Sequence, residues 1–546
     1  MGTEMNWFER LKRRWKNRMQ KTIADTGLAR EFKSIFDLGG IPAFQQFYEF
    51  GIFFWKLLWK GYYKPWHYIP APTIAEPDRY RNMSRMSMAK AVCAEMAGLV
   101  WGEECAVNVS MEGRESDEDN PDPLNEWAQG VLCRNAFREK MQESIEEGCA
   151  LGGAAYKTWA EVKHDENGNE IPDTRKIMIG YAMADQFVPT SWDNAKINEG
   201  VFISRIAKDG YYYTRLEWHK WNGLTYVITN ELYRSEIRKG ANPEDSQDIL
   251  GIRYPLAEIY PYLDEITEVP VEESLFAYWR TPIANNLDDN SPLGMSIYGN
   301  ALDTLHSLDV CYDSFDREFR LGKKRIIVPA RAVRSVVDPV SGRLVRYFDA
   351  TDETYEALAS DTPDDLKITD NSVELRVEEH VAAINAFLSI LCMQVGFSAG
   401  TFSFDQHTGL KTATEVVSEN SKTYKTIKTI QNQLRPAIEH LVRNIIDVAI
   451  LYEMTDDNGT PISTLAANGY NIQTTFDDGV TQDRQTNLNE GVMLVGAGLL
   501  SKFTFLTDPK YGQGLTPEQA EEELNRIKQE NAGARIDPLA IFNTAE

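Results

Sequence analysis

The sequence predicts a mainly helical α+β protein, and three observations lead to this class. Residues 152–280 alternate like strands, two long stretches carry apolar residues at steps of three and four, and a third long helical stretch follows them. The chain has 546 residues, of which 42% are hydrophobic and 11% aromatic. This length and composition predict several packed units and exclude a disordered chain.

The charge balance is acidic, with 82 Asp and Glu residues against 57 Lys and Arg residues and a formal net charge of −25. A protein that grips nucleic acid tightly shows a dominant basic surface, so this balance argues against such a clamp. The six cysteines form no CxxC pair, which favours a reducing compartment.

Residues 41–63 resemble a membrane segment at first sight. Their longest uncharged apolar run, Ile52–Trp55, is far shorter than the ~20 residues that a membrane span needs. Because residues 7–21 are strongly basic, an interfacial amphipathic helix stays open. The favoured interpretation is a buried aromatic helix with a basic neighbour.

The first half of the chain predicts helices followed by a β-rich unit. Residues 124–148 show one amphipathic helical pattern. Alternating runs flank Asn222-Gly223, which predicts a hairpin with both of these residues at positive φ. The string GGAAYKT at 152–158 ends like a phosphate loop, but Tyr156 stands where that loop requires glycine, so we expect a strand start.

Two long helices are predicted in the middle of the chain. The first begins at Ser291-Pro292 and ends before Gly322, and the second ends before Gly396. Both carry a coiled-coil-like seam, so we expect them to pack together, with the strand-containing insertion 323–375 between them. The seam residues are Tyr298, Ala301, Leu305, Leu308, Tyr312, Phe315 and Phe319 on the first helix and Val377, Val381, Ile384, Leu388, Leu391 and Val395 on the second.

The stretch HTGLKTATEVVSENSKTYKTIKTIQ, residues 407–431, predicts a helix with an unusually polar face. From Lys411 to Arg443 there are six basic residues and three acids, and Lys422, Lys425 and Lys428 recur every three positions. This stripe has two interpretations: a solvated helix face, or a weakly basic lining past which phosphates slide. Farther along, Pro436 predicts a kink.

No catalytic or metal-binding pattern stands out in the sequence. The seven histidines form no close pair, and neither GxSxG nor GxGxxG occurs. The pairs Asp364-Asp365 and Asp456-Asp457 are weak metal candidates, and counting acids does not exclude a glycosidase-like carboxylate pair. The lack of motifs favours a structural protein that has no catalytic residue, uses no cofactor and holds no metal.

Several strings resemble the portal proteins of tailed bacteriophages, particularly siphophages of Gram-positive hosts. They span about residues 84–430 and read RMSMAKAVCAEMAGLVWGE, EEGCALGGAAYK, SPLGMSIYGNALDTLHSLDVCYDSFDREFRLGKKRIIVP and GFSAGTFSFDQHTGLKTATEVVSENSKTYKTI. The resemblance implies the portal fold with these regions: a helical region and β-rich wing at 1–290, stem helices at 291–322 and 376–396, a clip at 323–375, a tunnel loop at 397–412, a tunnel helix and wing return at 413–480, and a crown and tail at 481–546.

The resemblance also implies a function without enzymatic activity. Such proteins form a ring, on the order of twelve copies, at one capsid vertex, where double-stranded DNA enters and leaves without sequence-specific contact. Lys411, Lys422, Lys425 and Lys428 are then candidates for the tunnel lining. The implied partners are the terminase large subunit, which would hydrolyse ATP, head-completion or adaptor proteins, and scaffold and major capsid proteins.

The implied location is the portal vertex of the virion, after assembly in the host cytoplasm, with no membrane partner. Two alternatives stay open from the residues themselves. One is a peripheral membrane scaffold that uses residues 7–63, and the other is a carboxylate hydrolase.

Overall fold

The structure, a computed structural model, shows an α+β protein, and this confirms the predicted class. The described residues are 35–38, 47–72, 77–114, 122–164, 171, 174–194, 196–237, 250–288, 290–322, 326–327, 334–337, 344–347, 369–370, 374–403, 421–476, 484–508 and 515–533. Lys411, most of the expected tunnel loop and most of the expected clip lie outside these residues.

The aromatic segment near the start of the described chain is buried, as favoured from the sequence. A π-helical turn, Tyr48–Ile52, leads into α1 (Phe53–Trp59), and α2 (Lys64–His67) follows. Trp55 is fully buried, and Trp59 donates a hydrogen bond through Nε1 to Glu146 Oε1 at 2.9 Å. Among the described helices, none has the length and apolar character to cross a membrane.

The predicted helix over 124–148 is two helices. After β1 (Tyr68–Pro70), β2 (Tyr80–Asn82), α3 (Met88–Val100) and β3 (Ala106–Met111), the chain forms α4 (Pro123–Arg134) and α5 (Phe137–Leu151). Asn135 explains the break, because its amide donates to the Ile177 carbonyl at 2.9 Å and accepts from the Ile179 N–H at 3.0 Å. This residue pairs with a strand, and Ala136 then takes a positive φ of 48°.

Antiparallel sheets form the β-rich part of the protein. The strands are β4 (Gly153–Glu161), β5 (Lys176–Met183), β6 (Phe187–Asp193), β7 (Lys196–Lys208), β8 (Tyr211–Asn222), β9 (Thr225–Glu236), β10 (Ile252–Tyr254), β11 (Ile266–Val269) and β12 (Phe276–Arg280). One sheet has the order β12-β4-β5; the other has the order β10-β9-β8-β7-β6, with β11 also paired to β9. The string GGAAYKT therefore begins a strand, as expected.

The predicted hairpin is confirmed, but its turn is shifted by one residue. Asn222 pairs with Thr225, so the two loop residues are Gly223 and Leu224. Gly223 has a φ of 64°, whereas Leu224 has no positive φ. A glycine at the first loop position fits a type II′ turn, which requires positive φ only there.

The first long helix, α6 (Leu302–Leu321), begins about one residue after the turn 297–300 and not at Ser291-Pro292 as predicted. Tertiary contacts hold the preceding segment in a non-helical path: Ile297 N donates to the Cys149 carbonyl at 3.0 Å, and Thr281 Oγ1 donates to the Met295 carbonyl at 2.5 Å. Gly294 packs closely against Gly152: a Cβ atom on Gly294 would lie only 2.1 Å from the carbonyl oxygen of Gly152. A helix from residue 292 would lose these contacts.

The described parts of the insertion are short strands, and a second long helix follows them. β13 (Ile326–Ile327) pairs with β16 (Thr369–Asp370), and β14 (Arg334–Val337) pairs with β15 (Leu344–Tyr347). The second helix, α7 (Val377–Val395), ends at Gly396, whose φ of 93° suits glycine.

A third long helix, α8 (Ser421–Leu451), runs through the core against β4 and β12. It continues through Pro436, so this proline does not end the helix. The remaining elements are α9 (Ile462–Leu465), β17 (Tyr470–Thr475), α10 (Arg484–Gly496), α11 (Lys502–Thr507) and α12 (Pro517–Gly533). Strand β17 returns to pair antiparallel with β3. The buried face of α8 includes Leu434, Ile438, Leu441 and Ile445, and full burial of each such side chain contributes roughly 1.5–3 kcal/mol.

Candidate functional site

The candidate site comprises the antiparallel pair α6 and α7, called the helical hairpin below, and the first turns of α8. The base of the hairpin is the half that packs against the rest of the protein, called the body below. The seam residues of this half are buried: Leu305, Leu308, Ile384, Leu388 and Leu391. Tyr312, Phe315 and Val381 are half-buried, and Phe319 and Val377 at the outer end are exposed. The apolar seam is thus closed at its base and opens toward the tip.

Tyr298 does not lie in the helical part of this seam. It precedes α6, is fully buried, and donates its hydroxyl to the Trp55 carbonyl at 2.8 Å. Its spacing fits the seam only if the helix begins at 292, and tertiary contacts prevent that start. Tyr298 therefore joins the hairpin base to α1.

An ion pair joins the two helices at the outer end of the hairpin. Arg376 contacts Glu318 with two parallel bonds, Nε to Oε1 at 3.1 Å and Nη2 to Oε2 at 2.9 Å. These hydrogen bonds lower the pKa of Glu318 to about 2. The Phe315 ring lies beside His380, with 5.6 Å between ring centroids. This end is held by polar and ring contacts more than by burial.

Three aspartates on one face of α6 attach the hairpin to the body. Asp309 accepts from His67 Nε2 at 3.0 Å and from Met86 N at 2.8 Å. Asp313 accepts from both terminal nitrogens of Arg81 and from Ser84 N at 2.9 Å. Burial opposes the ionisation of Asp313, yet these hydrogen bonds hold its pKa below its usual value.

Asp316, the third of these aspartates, accepts a hydrogen bond from Ser84 Oγ at 3.0 Å. The sequence alone indicated no role for these acids. Their spacing of four and three residues places them on one face of a helix, and this was the available signal. Their partners come from residues more than 200 positions away, which spacing cannot reveal.

A set of hydrogen bonds joins the end of α7 to the start of α8. Ser398 N donates to Thr423 Oγ1 at 2.8 Å, and Thr423 N donates to Ser398 Oγ at 3.3 Å. Thr426 Oγ1 donates to the Gly396 carbonyl at 2.8 Å. Part of the polar face predicted for residues 407–431 therefore serves contacts within the chain.

The predicted lysine stripe lies at the start of α8, and its three described members are exposed: Lys422, Lys425 and Lys428. Lys422 Nζ donates to the Met393 carbonyl at 2.6 Å, at the C-terminal end of α7. A cation suits this end of a helix because of the unpaired carbonyls and the helix dipole. Lys422 thus has a local structural role. The exposed positions of Lys425 and Lys428 fit either a solvated helix face or a lining past which phosphates slide.

A partly buried carboxyl group away from the hairpin, that of Glu147, lies on α5 near α1 and the turn before β6. Burial raises the pKa of Glu147 to about 7, although the nearby Lys56 opposes the shift. Lys56 Nζ pairs with Asp185 Oδ2 at 2.5 Å. Glu147 is far from the hairpin in sequence, and its raised pKa affects the pH dependence of stability.

The residues that the structure describes do not assemble a metal centre. Within them, no group of three or more His, Cys, Asp or Glu side chains is placed to hold a metal ion. Asp456 uses its carboxylate within its own turn, accepting from Asn458 N at 3.0 Å and Thr460 N at 2.7 Å. Asp364 and Asp365 lie outside the described residues.

Comparison with known families places the chain in a class of phage structural protein. The family model "Phage portal protein, SPP1 Gp6-like" matches residues 57–535. Since this match covers most of the chain, the protein belongs to the SPP1 Gp6-like family of phage portal proteins, which are structural proteins of the virion.

A chain from a solved structure titled "Virion of native gene transfer agent (GTA) particle" is similar at 9% sequence identity, with a TM-score of 0.32. The alignment covers 77% of this chain and 88% of that chain. The comparison with curated proteins gives no match.

Proposed function

We propose that the protein is the subunit of a portal ring at one vertex of the capsid, through which double-stranded DNA enters and leaves. The observation that carries this proposal is the family match over residues 57–535. The ring has on the order of twelve copies, and it forms because repeated head-to-tail contacts between subunits close on themselves.

Within this proposal the helical hairpin is the stem, and the insertion 323–375 at its outer end is the clip. Residues 397–412 form the tunnel loop, and α8 is the tunnel helix. The wing comprises the sheets between α5 and α6, and residues 481–546 form the crown and tail. The order of the described elements supports these assignments.

Exposed apolar side chains on the hairpin support contacts between subunits. Val310 on α6 is 42% exposed, and Ile390 and Met393 on α7 are 40% and 58% exposed. A single chain leaves these side chains in water, and a neighbouring hairpin in a ring would cover them. Burial of apolar surface would then contribute to assembly.

The charge of the chain supports a conduit that does not hold DNA tightly. A strongly basic tunnel would make many phosphate contacts, and the release of counterions would retain the DNA. A chain with a net charge of −25 and a few exposed lysines fits weak contact with the phosphate backbone. Lys411, Lys422, Lys425 and Lys428 remain the candidates for this contact.

The proposed partners are those that act at such a vertex: the terminase large subunit, which would supply ATP hydrolysis, the head-completion or adaptor proteins, and the scaffold and major capsid proteins. Assembly takes place in the host cytoplasm. In this role the protein has no catalytic activity and no membrane partner.

Electron microscopy of the purified full-length protein tests the ring. We expect rings with a central channel, and weak, salt-sensitive binding of double-stranded DNA without sequence preference. A protein that stays monomeric at high concentration across salt conditions would overturn the proposal. So would hydrolysis of polysaccharide or nucleic acid that one Asp or Glu substitution abolishes.

A further inference from the structure

Strand β11 lies at the edge of the larger sheet and pairs, among the described strands, only with β9. It runs antiparallel to β9, with Ile266 opposite Thr229. Asn230 N donates to the Glu265 carbonyl at 2.8 Å, so residues 230 and 265 form a hydrogen-bonded pair. Hydrogen-bonded and non-hydrogen-bonded pairs alternate along an antiparallel ladder. The N–H and C=O groups of Ile266 and Glu268 therefore point outward, away from β9.

These outward backbone groups, called the open edge below, belong to an exposed segment. Within the described part of the chain, the N–H and C=O groups of Ile266 and Glu268 have no hydrogen-bond partner. Ile266 is 61% exposed, and Thr267 and Glu268 beside it are also exposed. Only the last residue of the strand, Val269, is buried. Unpaired backbone groups beside an exposed apolar side chain form an edge to which another strand can add.

Other strand edges of this protein are closed by side chains. On β3, Val109 N donates to Asn125 Oδ1 at 2.9 Å, and Met111 N donates to Asp122 Oδ2 at 2.7 Å. On β5, Asn135 closes part of the edge in the same way. Folded proteins usually protect their edge strands by such means, because an unprotected edge invites pairing. The open edge of β11 has no such closing side chain among the described residues.

The surroundings of the open edge are acidic. Residues 255–279 include six acids and no Lys or Arg. Glu268 and Glu272 are exposed and form no ion pair within the described residues. A cation on the same face of the sheet as Glu268, Lys220, is two strands away, which is about 10 Å in a regular sheet. Its Nζ lies 3.8 Å from the centre of the Trp218 ring. The charge beside the open edge is therefore negative.

We propose that the open edge of β11 binds an extended, basic segment of a partner protein as an additional strand. The backbone of this segment pairs with the outward groups of Ile266 and Glu268, as in other complexes formed by strand addition. Positions two residues apart on one face of the added strand place an apolar side chain beside Ile266 and a Lys or Arg beside Glu268. Nucleic acid and anionic membranes fit less well, because the acids repel their phosphates. This inference does not depend on the proposed ring.

Binding of a fluorescein-labelled peptide to the full-length protein, measured by anisotropy, tests the proposal. The probe repeats the sequence Thr-Val-Thr-Lys, which places valine and lysine on one face of an extended chain. We expect binding that weakens as salt rises, because part of the attraction is between charges. The same peptide with glutamate in place of lysine should bind much more weakly. Equal binding of the two peptides would overturn the proposal.

Substitutions of Glu268 separate backbone pairing from charge. Glu268→Pro removes an outward N–H as well as the charge, and proline is tolerated at outward positions of an edge strand. Glu268→Gln removes the charge alone and is the matched control. We expect a loss in affinity of about threefold for Glu268→Gln and of at least about tenfold for Glu268→Pro. Glu236→Gln removes an exposed acid on β9 and should bind like the unchanged protein.

Equal binding by Glu268→Pro and Glu268→Gln would overturn the proposal. Circular dichroism checks that both variants are folded. A peptide with every backbone amide N-methylated tests the pairing on the unchanged protein, and undiminished binding of this peptide would also overturn it. If the unchanged protein does not bind the lysine peptide but Glu268→Pro alters its oligomeric state, the proposal is overturned in favour of a second copy of this chain.

Discussion

Ser398 and Thr423 hydrogen-bond to each other reciprocally across 25 residues of chain, each donating its backbone N–H to the hydroxyl of the other. Their hydroxyls are also 3.1 Å apart. Both residues are buried, so the pair closes the base of the segment between α7 and α8. If α8 moves relative to the hairpin, the hydrogen bonds between Ser398 and Thr423 must break, unless both residues move together.

Replacing Thr423 by valine tests the importance of the pair. We expect a loss of about 1–3 kcal/mol in the free energy of unfolding, because the buried Ser398 N–H loses its acceptor. The measurement is denaturant unfolding of the full-length protein. Thr429→Val is the matched control, since Thr429 is exposed on the same helix and its hydroxyl donates only to the Lys425 carbonyl within that helix. An equal effect of the two substitutions would contradict the prediction.

Substitutions on α6 separate the buried seam from the exposed face. Leu305→Asp places an unpaired charge in the sealed half of the seam, so we expect little folded protein. Val310→Asp changes an exposed position of the same helix. We expect this variant to fold normally and to form fewer rings. Circular dichroism and electron microscopy measure the two outcomes, and soluble, normal rings from Leu305→Asp would refute the seam.

The exposed lysines of α8 are tested by replacing Lys425 and Lys428 together with glutamine. We expect intact rings and a smaller dependence of DNA affinity on salt, because fewer phosphates are neutralised. DNA packaging or retention should also change. Lys208→Gln with Lys502→Gln is the control for the change in total charge. Unchanged DNA affinity and packaging would contradict a tunnel role and would indicate that Lys425 and Lys428 only form a solvated helix face.

Glu147 makes the stability of the body depend on pH. Its pKa is about 7 in the folded protein against 4.5 for an unperturbed glutamate, so the folded state binds more protons between these values. The free energy of unfolding therefore falls as pH rises from about 4.5 to 7. The stabilising contribution of the protonated form is present below this range and lost above it.

Glu147→Gln should remove this dependence. After allowance for solvent around the partly buried side chain, we expect the substitution to stabilise the protein by about 1–2 kcal/mol at pH 8 and to have little effect at pH 4. Thermal unfolding at both pH values measures this. Glu143→Gln is the control, because Glu143 is an exposed residue of the same helix that pairs with Lys140. A stabilisation that is equal at both pH values would argue against the assignment.

Local patterns predicted those elements whose contacts are local. The hairpin at Asn222-Gly223 follows from alternation and turn chemistry, and only its loop residues differ by one position. The prediction of a single helix over 124–148 was wrong, because Asn135 hydrogen-bonds to β5 and the helix is interrupted there. Helical periodicity continues across such a break and does not reveal it.

The candidate site was predictable only in part for a similar reason. Spacing identified Leu308, Ile384 and Leu391, which are fully or nearly fully buried. It placed Tyr298 on the helix, whereas the contact of Ile297 with Cys149 delays the helix start. Lys422 belongs to the predicted stripe, but its bond to Met393 depends on how α7 and α8 meet. Pairings between distant segments leave no periodic signal in the sequence.

The pairing of β17 with β3 has a consequence for synthesis on the ribosome. Residues 106–111 leave the ribosome long before their strand partner at 470–475 is made. During the intervening elongation, the edge of β3 that β17 covers is open to other strands. Pausing or truncation before residue 475 should therefore produce chains that associate wrongly, because this edge stays open until residues 470–475 emerge.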